Sequence, residues 1–273
     1  MYSLNLASIS QGDDMSLSRK LVFIISFITI FIVISSISVA EYFTFKQMES
    51  NVIKEAEVNL QAKKVLVSDS ITDYFDSIQN QITVKAFDVT TVEAAQAFKK
   101  GFNKYPVTDS TSLANFYEQD FKTSFNNNNQ NSINISGLYK PLSSITTALQ
   151  TQFLSDNKNP LGEKDNLTAL NDNTDYDKAH QRYHPSFQKF LKEFGYYDVF
   201  IVEPDNGDIV YSVYKEIDYA TSLTTGPYNN TGISEAFNAV LRLRPGETYL
   251  TDFKAYLPSY NNAASFMSTP IFD

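Results

Sequence analysis

Cysteine is absent from the 273 residues. That excludes a disulfide framework, a thiolate zinc site and a cysteine nucleophile, and it leaves the redox compartment open. Tryptophan is also absent and there are only two histidines, His180 and His184, so the usual acid–base and metal-ligating groups are scarce. Bases are outnumbered, 22 Lys and Arg against 31 Asp and Glu, for a net charge of −9. The first twenty residues hold two acids (Asp13, Asp14) and two bases (Arg19, Lys20), so the whole −9 lies from Glu41 onward. Phosphate binding needs clustered bases, and nucleic acid is therefore not an expected partner. Neither a Gly-x-Ser-x-Gly elbow nor a phosphate-cradling glycine loop occurs, and the carboxylates are scattered, so no catalytic residue and no cofactor is expected.

Apolar material is ample: 42% of residues are hydrophobic and 14% aromatic, enough for a packed core. Residues 21–40, LVFIISFITIFIVISSISVA, are twenty uncharged residues of which fifteen are apolar. As a helix this run spans the ~30 Å hydrocarbon core of a bilayer. Arg19 and Lys20 precede it and Glu41 follows, so the positive-inside tendency places residues 1–20 in the cytoplasm and the rest outside. The phrase MSLSRK makes Met15 a rival start to Met1. Ser38-Val39-Ala40 would suit a signal peptidase, but the run exceeds the ~7–15 residues of a signal-peptide core, which favours an uncleaved anchor. Either way residues 41 onward are exported.

Residues 41–88 contain neither Gly nor Pro, and Leu60, Val67, Ile71, Tyr74, Ile78 and Ile82 recur at helical spacing, which predicts one long helix leaving the membrane. Its charged stretch at 46–64 lacks a broad apolar face and calls for a second helix or subunit. Helices are predicted at 92–102, 113–125, 142–154 and 176–194. Asn126–Asn129, with Gln130 and Asn131, reads as a loop, as does 156–174 with its Asn-Pro-Leu-Gly turn. Strands are predicted at 197–202 (YDVFIV) and 209–214 (IVYSVY), joined by the turn sequence Pro-Asp-Asn-Gly-Asp, then a helix at 234–242 and strands at 249–256 and 264–271. The fold class is α+β, with an antiparallel sheet (195–273) behind a helical region (41–194). A chain stopping at Asp273 leaves that sheet with an open edge, so a closing strand is expected beyond it.

Tyr197, Tyr211, Lys215, Asp252, Tyr256 and Tyr260 lie on or beside the strands, the mix expected of a small apolar pocket with a few orienting polar groups. Residues two apart on a strand share a face, so Tyr211 points with Lys215 and Asp252 with Tyr256. Tyr211, Lys215, Asp252 and Tyr256 are the candidate ligand-binding residues. His180 and His184, four apart, could share a metal on a helix, but Gln181 stands where His-Glu-x-x-His needs its acid and no third ligand is evident. Pro185 also puts His184 at a helix boundary. A surface pair is expected, with no metal site.

The phrases FGYYDVF, GDIVYSVYKE, DYATSL before GPY, and DFKAYLPSY followed by ASFMSTPIFD resemble the extracytoplasmic Cache/PAS-like sensor region of bacterial methyl-accepting chemotaxis proteins, over about a third of the chain. The resemblance implies a membrane-anchored homodimeric chemoreceptor, with a second membrane helix, a HAMP relay and a signalling coiled coil beyond Asp273. It would bind a small molecule or a periplasmic binding protein and carry the signal by helix displacement. Without tryptophan the Arg-x-Trp-Tyr signature of the amino-acid-binding subgroup is missing. Histidine kinases and nucleotide cyclases carry similar regions; an anchored envelope hydrolase is the reading from a different class.

Overall fold

The computed structural model describes residues 16–107, 111–130 and 132–272. The alternative start at Met15 lies outside them. The chain is mostly helical with a few small antiparallel sheets, an α+β arrangement. It divides into two compact units, one up to Asp73 and one from Tyr74 onward.

Helix α1 runs unbroken over Leu17–Phe87, 71 residues without glycine or proline. Its first part carries Leu21, Phe23, Ile24, Phe27, Ile30 and Phe31 exposed, and it is long and apolar enough to cross a membrane. Three of the five hydroxyls within that stretch bond back to the helix itself. Thr29 Oγ1 donates to the Ile25 carbonyl at 3.0 Å, and Ser35 and Ser36 donate to Phe31 and Ile32 at 2.7 and 2.8 Å, as a medium without water requires. Asp88 stops the helix by taking extended backbone (ψ 122°), and its carboxylate caps α2 (Val89–Asn103) by accepting from the Thr90 N–H at 3.0 Å.

In the second unit, α2 packs on α7 (Asp175–Phe194) so closely that a Cβ on Gly101 would stand 2.7 Å from Tyr176 Cα. Thr174 caps α7 at its start, and Gly195, left-handed at φ 71°, ends it. Between them, α3 (Ser112–Asn115) passes through a π-helical stretch, Phe116–Phe121, into α4 (Lys122–Asn128). After α5 (Ser136–Tyr139), α6 (Ser144–Gln150) ends in a second π-helical stretch, Thr151–Ser155. Two predictions fail here. Asn126–Asn128 form the last turn of α4 rather than a loop, because Phe125 is buried and the amides are bonded: Asn128 to the Ser124 carbonyl and Asn129 to that of Phe125 locally, and Asn129 also to the distant Tyr260 carbonyl. Pro185 sits inside α7 without ending it, because the carbonyl it leaves unbonded belongs to exposed Gln181 and water can serve it.

Strands β1 (Phe200–Val202) and β2 (Ile209–Ser212) form the expected hairpin, with Ile201 opposite Tyr211. Helix α8 (Gly232–Val240) follows. The last two predicted strands are each interrupted. β3 (Tyr249–Leu250) pairs with β6 (Met267–Ser268), and β4 (Lys254–Tyr256) with β5 (Asn262–Ala264). Between the two ladders Thr251 takes over the pairing, its N–H donating to the Phe266 carbonyl while its hydroxyl accepts from the Phe266 N–H. The register slips there by one residue, a β-bulge. Among the described residues the strands thus form three two-stranded sheets rather than one four-stranded sheet. Apolar side chains from α2, α6, α7, β1 and β2 share the main core, each large side chain in it contributing about 1.5–3 kcal/mol.

Candidate functional site

Just beyond β2, after Val213 and Tyr214, the chain carries three charged residues, Lys215, Glu216 and Asp218. The segment leaves β2 at Ser212 and curls back until the Thr221 carbonyl accepts from the Ile209 N–H at 2.9 Å. Two residues in it are left-handed without being glycine, Lys215 (φ 58°) and Ala220 (φ 64°), a conformation that costs about 1–2 kcal/mol each and persists only where packing dictates it. Packing does so here: Lys215 is 2% exposed, and Asp218, Tyr219 and Ala220 are fully enclosed.

The loop is clamped from the helical side. Gln150, the last residue of α6, donates through its amide nitrogen to the carbonyls of Ile217 (2.9 Å) and Tyr219 (2.7 Å), and its amide oxygen accepts from Tyr117 in the first π-helical stretch (2.8 Å). Thr146 Oγ1 donates to the Ala220 carbonyl at 2.7 Å.

Inside this clamp the charged groups converge. Lys215 Nζ donates to the Ser212 and Val213 carbonyls at 3.2 Å and stands over the rings of Tyr211 and Phe153, 5.4 and 5.7 Å from their centres. Burial pulls its ammonium down to about 7. Asp198 is half-buried, but its carboxyl end is enclosed. Oδ1 accepts from the N–H groups of Val199, Val213 and Tyr214 at 2.6–2.9 Å, and Oδ2 has no partner. Asp218 accepts the Tyr256 hydroxyl on Oδ2 at 2.5 Å, and the N–H groups of Asp218 and Tyr219 also bond its carboxylate. Glu216 accepts from Tyr197 (2.6 Å) and from Ser259 (2.7 Å), in the turn after β4. Desolvation, reinforced by the neighbouring Asp218 charge, pushes Asp198 and Glu216 up to about 8, and desolvation pushes Asp218 up to about 6. The buried Tyr228 hydroxyl, close enough to feel Asp218 and Glu216, is also unpartnered.

The histidines adjoin the same region. They are fully buried and stacked at 4.3 Å, correcting the expected surface pair; their side of α7 faces the core while Gln181 and Arg182 face solvent. His184 Nε2 donates to the Asp165 carbonyl and Nδ1 shares a hydrogen bond with the Tyr211 hydroxyl, both at 2.7 Å. His180 bonds the Thr168 carbonyl through Nδ1, leaving Nε2 unpartnered. Burial, then the Lys215 charge, holds His184 down to about 3 and His180 well below its ordinary value.

Of the four sequence-predicted residues, Tyr211, Lys215 and Tyr256 enter this cluster. Asp252 does not. The bulge at Thr251 breaks the strand, so the expected shared face of Asp252 and Tyr256 is lost and Asp252 lies exposed, accepting from the Phe253 N–H. Asp198, Glu216, Asp218, Tyr228 and Gln150 were missed. The one signal in the sequence was the crowding of three charges into residues 215–218 between apolar strands. Among the described residues no three His, Asp or Glu side chains converge as metal ligands. A groove of about 370 Å³ follows α1 past Ile37, Phe45 and Met48, with little polar surface to orient a ligand. No protein-family model, curated protein or solved structure matches the chain.

Proposed function

We propose that the chain is the extracytoplasmic ligand-sensing region of a transmembrane receptor of the chemoreceptor kind, one that binds and relays rather than catalyses. The observation that carries the reading is a single uninterrupted helix, α1, whose first part is exposed and apolar and whose last part belongs to the α+β unit holding the buried polar cluster. Arg19 and Lys20 before the apolar run orient the α+β unit outward. Leu60, Val67 and Ile71 are exposed along α1, a stripe suited to the helix of a second copy. A ligand shifts such a receptor only as far as it prefers one conformation.

Fusing alkaline phosphatase after Asp273 tests the orientation. The reading expects an active, membrane-retained enzyme; an inactive fusion, or one released to the soluble fraction, contradicts it. Thermal unfolding of the full chain in lipid nanodiscs across a metabolite panel tests the sensing, and a panel without any shift contradicts direct recognition.

A further inference from the structure

Near its end α1 turns its pattern inside out. Val84 and Phe87 are 71% and 61% exposed, whereas the Lys85 side chain between them is 15% exposed and lies against α7. Its ammonium stands 4.9 Å from the centre of the Phe187 ring and 5.8 Å from that of Phe190, and it pairs at 3.0 Å with Asp88, the cap of α2. A lysine costs more to enclose than the valine or phenylalanine beside it, and the best-attested use of an inward charge is to fix one packing register. The last turns of α1, from Tyr74, belong to the same unit as α7. A second bond, from the Tyr196 hydroxyl to Gln81 Oε1 at 2.5 Å, ties them to the segment after α7. Phe187, 1% exposed, leads inward: its ring meets Tyr211 at 5.3 Å, and Tyr211 carries Lys215 Nζ 5.4 Å from its own centre. Lys85, Phe187, Tyr211 and Lys215 thus form a continuous row from the end of α1 to the clamped loop.

We propose that Lys85 pins the end of α1 to α7 in one register, and that rearrangement of the loop at Lys215 reaches it through Tyr211 and Phe187. The contact types suit these roles. An apolar side chain slides over its neighbours with little penalty, because hydrophobic contact has no direction. A cation over a ring face loses its attraction when it leaves that face, so Lys85 resists rotation and sliding of the helix that carries it. Phe187 has Lys85 on its face and Tyr211 against its ring, and a shift of β2 beneath Tyr211 therefore displaces the surface on which Lys85 rests. Because α1 is unbroken over 71 residues, a turn imposed at its end acts on a rigid element. The assignment deepens the sensory reading by naming the contact at which a signal enters α1. It rests on that reading only for what the movement accomplishes, since the row itself lies wholly in the unit from Tyr74 onward.

Hydrogen exchange of the full chain in nanodiscs tests the coupling, with the amides of residues 81–87 as reporters and those of α8 as controls. Lys85→Met keeps the length of the side chain and removes the cation; it should quicken exchange at 81–87 about tenfold and leave the controls unchanged. Lys85→Arg keeps a cation over the ring and should stay within about twofold of the native chain. Lys215→Met, at the far end of the row, should quicken the same amides about threefold when Lys85 is present and not at all in the Lys85→Met background, since coupled positions are not additive. Circular dichroism checks folding, and Phe187→Leu, in the middle of the row, supplies the same cycle if Lys215→Met does not fold. Unchanged exchange in Lys85→Met, or a quickening shared by the controls, overturns the pin. Equal effects of Lys215→Met in the two backgrounds, or none in either, overturn the coupling. None of these results depends on orientation or on a ligand, which the phosphatase fusion and the metabolite panel judge separately.

Discussion

The first part of α1 and the loop from Lys215 to Ala220 both reverse the usual distribution of side chains. One exposes Ile, Phe and Val over five turns of helix, and the other encloses Lys215, Asp218 and the carboxyl end of Asp198. The apolar helix bonds locally: its backbone pairs within it, and the hydroxyls of Thr29, Ser35 and Ser36 donate to its own carbonyls. The loop depends on partners from the whole length of its unit: Tyr117, Thr146, Gln150, Tyr197, Tyr256 and Ser259. A local inversion can be read from consecutive residues, whereas an inversion built from distant partners cannot.

The largest expected effect breaks the second arrangement. Gln150→Leu leaves the Ile217 and Tyr219 carbonyls and the Tyr117 hydroxyl without their amide partner, and should lower stability by about 3–5 kcal/mol in chemical denaturation. A loss under about 1 kcal/mol would mean that the clamp does not hold the loop.

Next comes pH. In the unfolded chain Asp198, Glu216 and Asp218 titrate near 4, and in the folded chain they titrate at about 8, 8 and 6. Between these limits the three carboxyls hold more protons in the folded chain and make stability fall as pH rises from about 4 to 8, while His180 and His184, held below their ordinary value, oppose that fall below about pH 6.5. Asp218 alone contributes a loss on the order of 3 kcal/mol. Lys215, lowered to about 7 from an ordinary 10.5, acts in the opposite sense: the unfolded chain binds its proton more tightly, and stability recovers from about pH 7 to 10. Denaturation midpoints measured across this range check both signs, and Asp218→Asn should flatten the lower limb.

Ile30→Arg puts a charge in the middle of the apolar run and should disfavour membrane insertion by about 2.5–3.5 kcal/mol, read as a shift toward the alkali-extractable fraction. An unchanged membrane fraction would separate this helix from the bilayer. Smallest is Tyr228→Phe, which removes an unpartnered buried hydroxyl and should leave stability unchanged or raise it by up to about 1 kcal/mol. A clear loss would show that the hydroxyl is satisfied after all.

The same division governs what could be read from the sequence. The apolar run, the long helix free of Gly and Pro, α2 and α7, and the hairpin around Pro-Asp-Asn-Gly-Asp all carry local signals, and each forms within a few residues of its expected bounds. Asn126–Asn128 joined a helix because buried Phe125 and the local amide bonds outweighed their loop preference. The histidines were misplaced because burial of one helix face depends on what packs there. Tyr211 and Tyr256 were found as aromatic residues on strands, and Lys215 as a polar residue beside one. Asp198 and Asp218 were not, since nothing beside them in the chain shows that Val213, Tyr214 and Tyr256 will enclose them. Asp252 was included on a strand periodicity that one bulge at Thr251 cancels.

Carbon-13 NMR titration of the full chain, with labelled aspartate and glutamate carboxyls assigned by substitution, tests the buried cluster most directly. The account predicts that Asp198 and Glu216 lose their protons at about pH 8 and Asp218 at about pH 6. Three midpoints near 4 would place these carboxylates in water and remove the site.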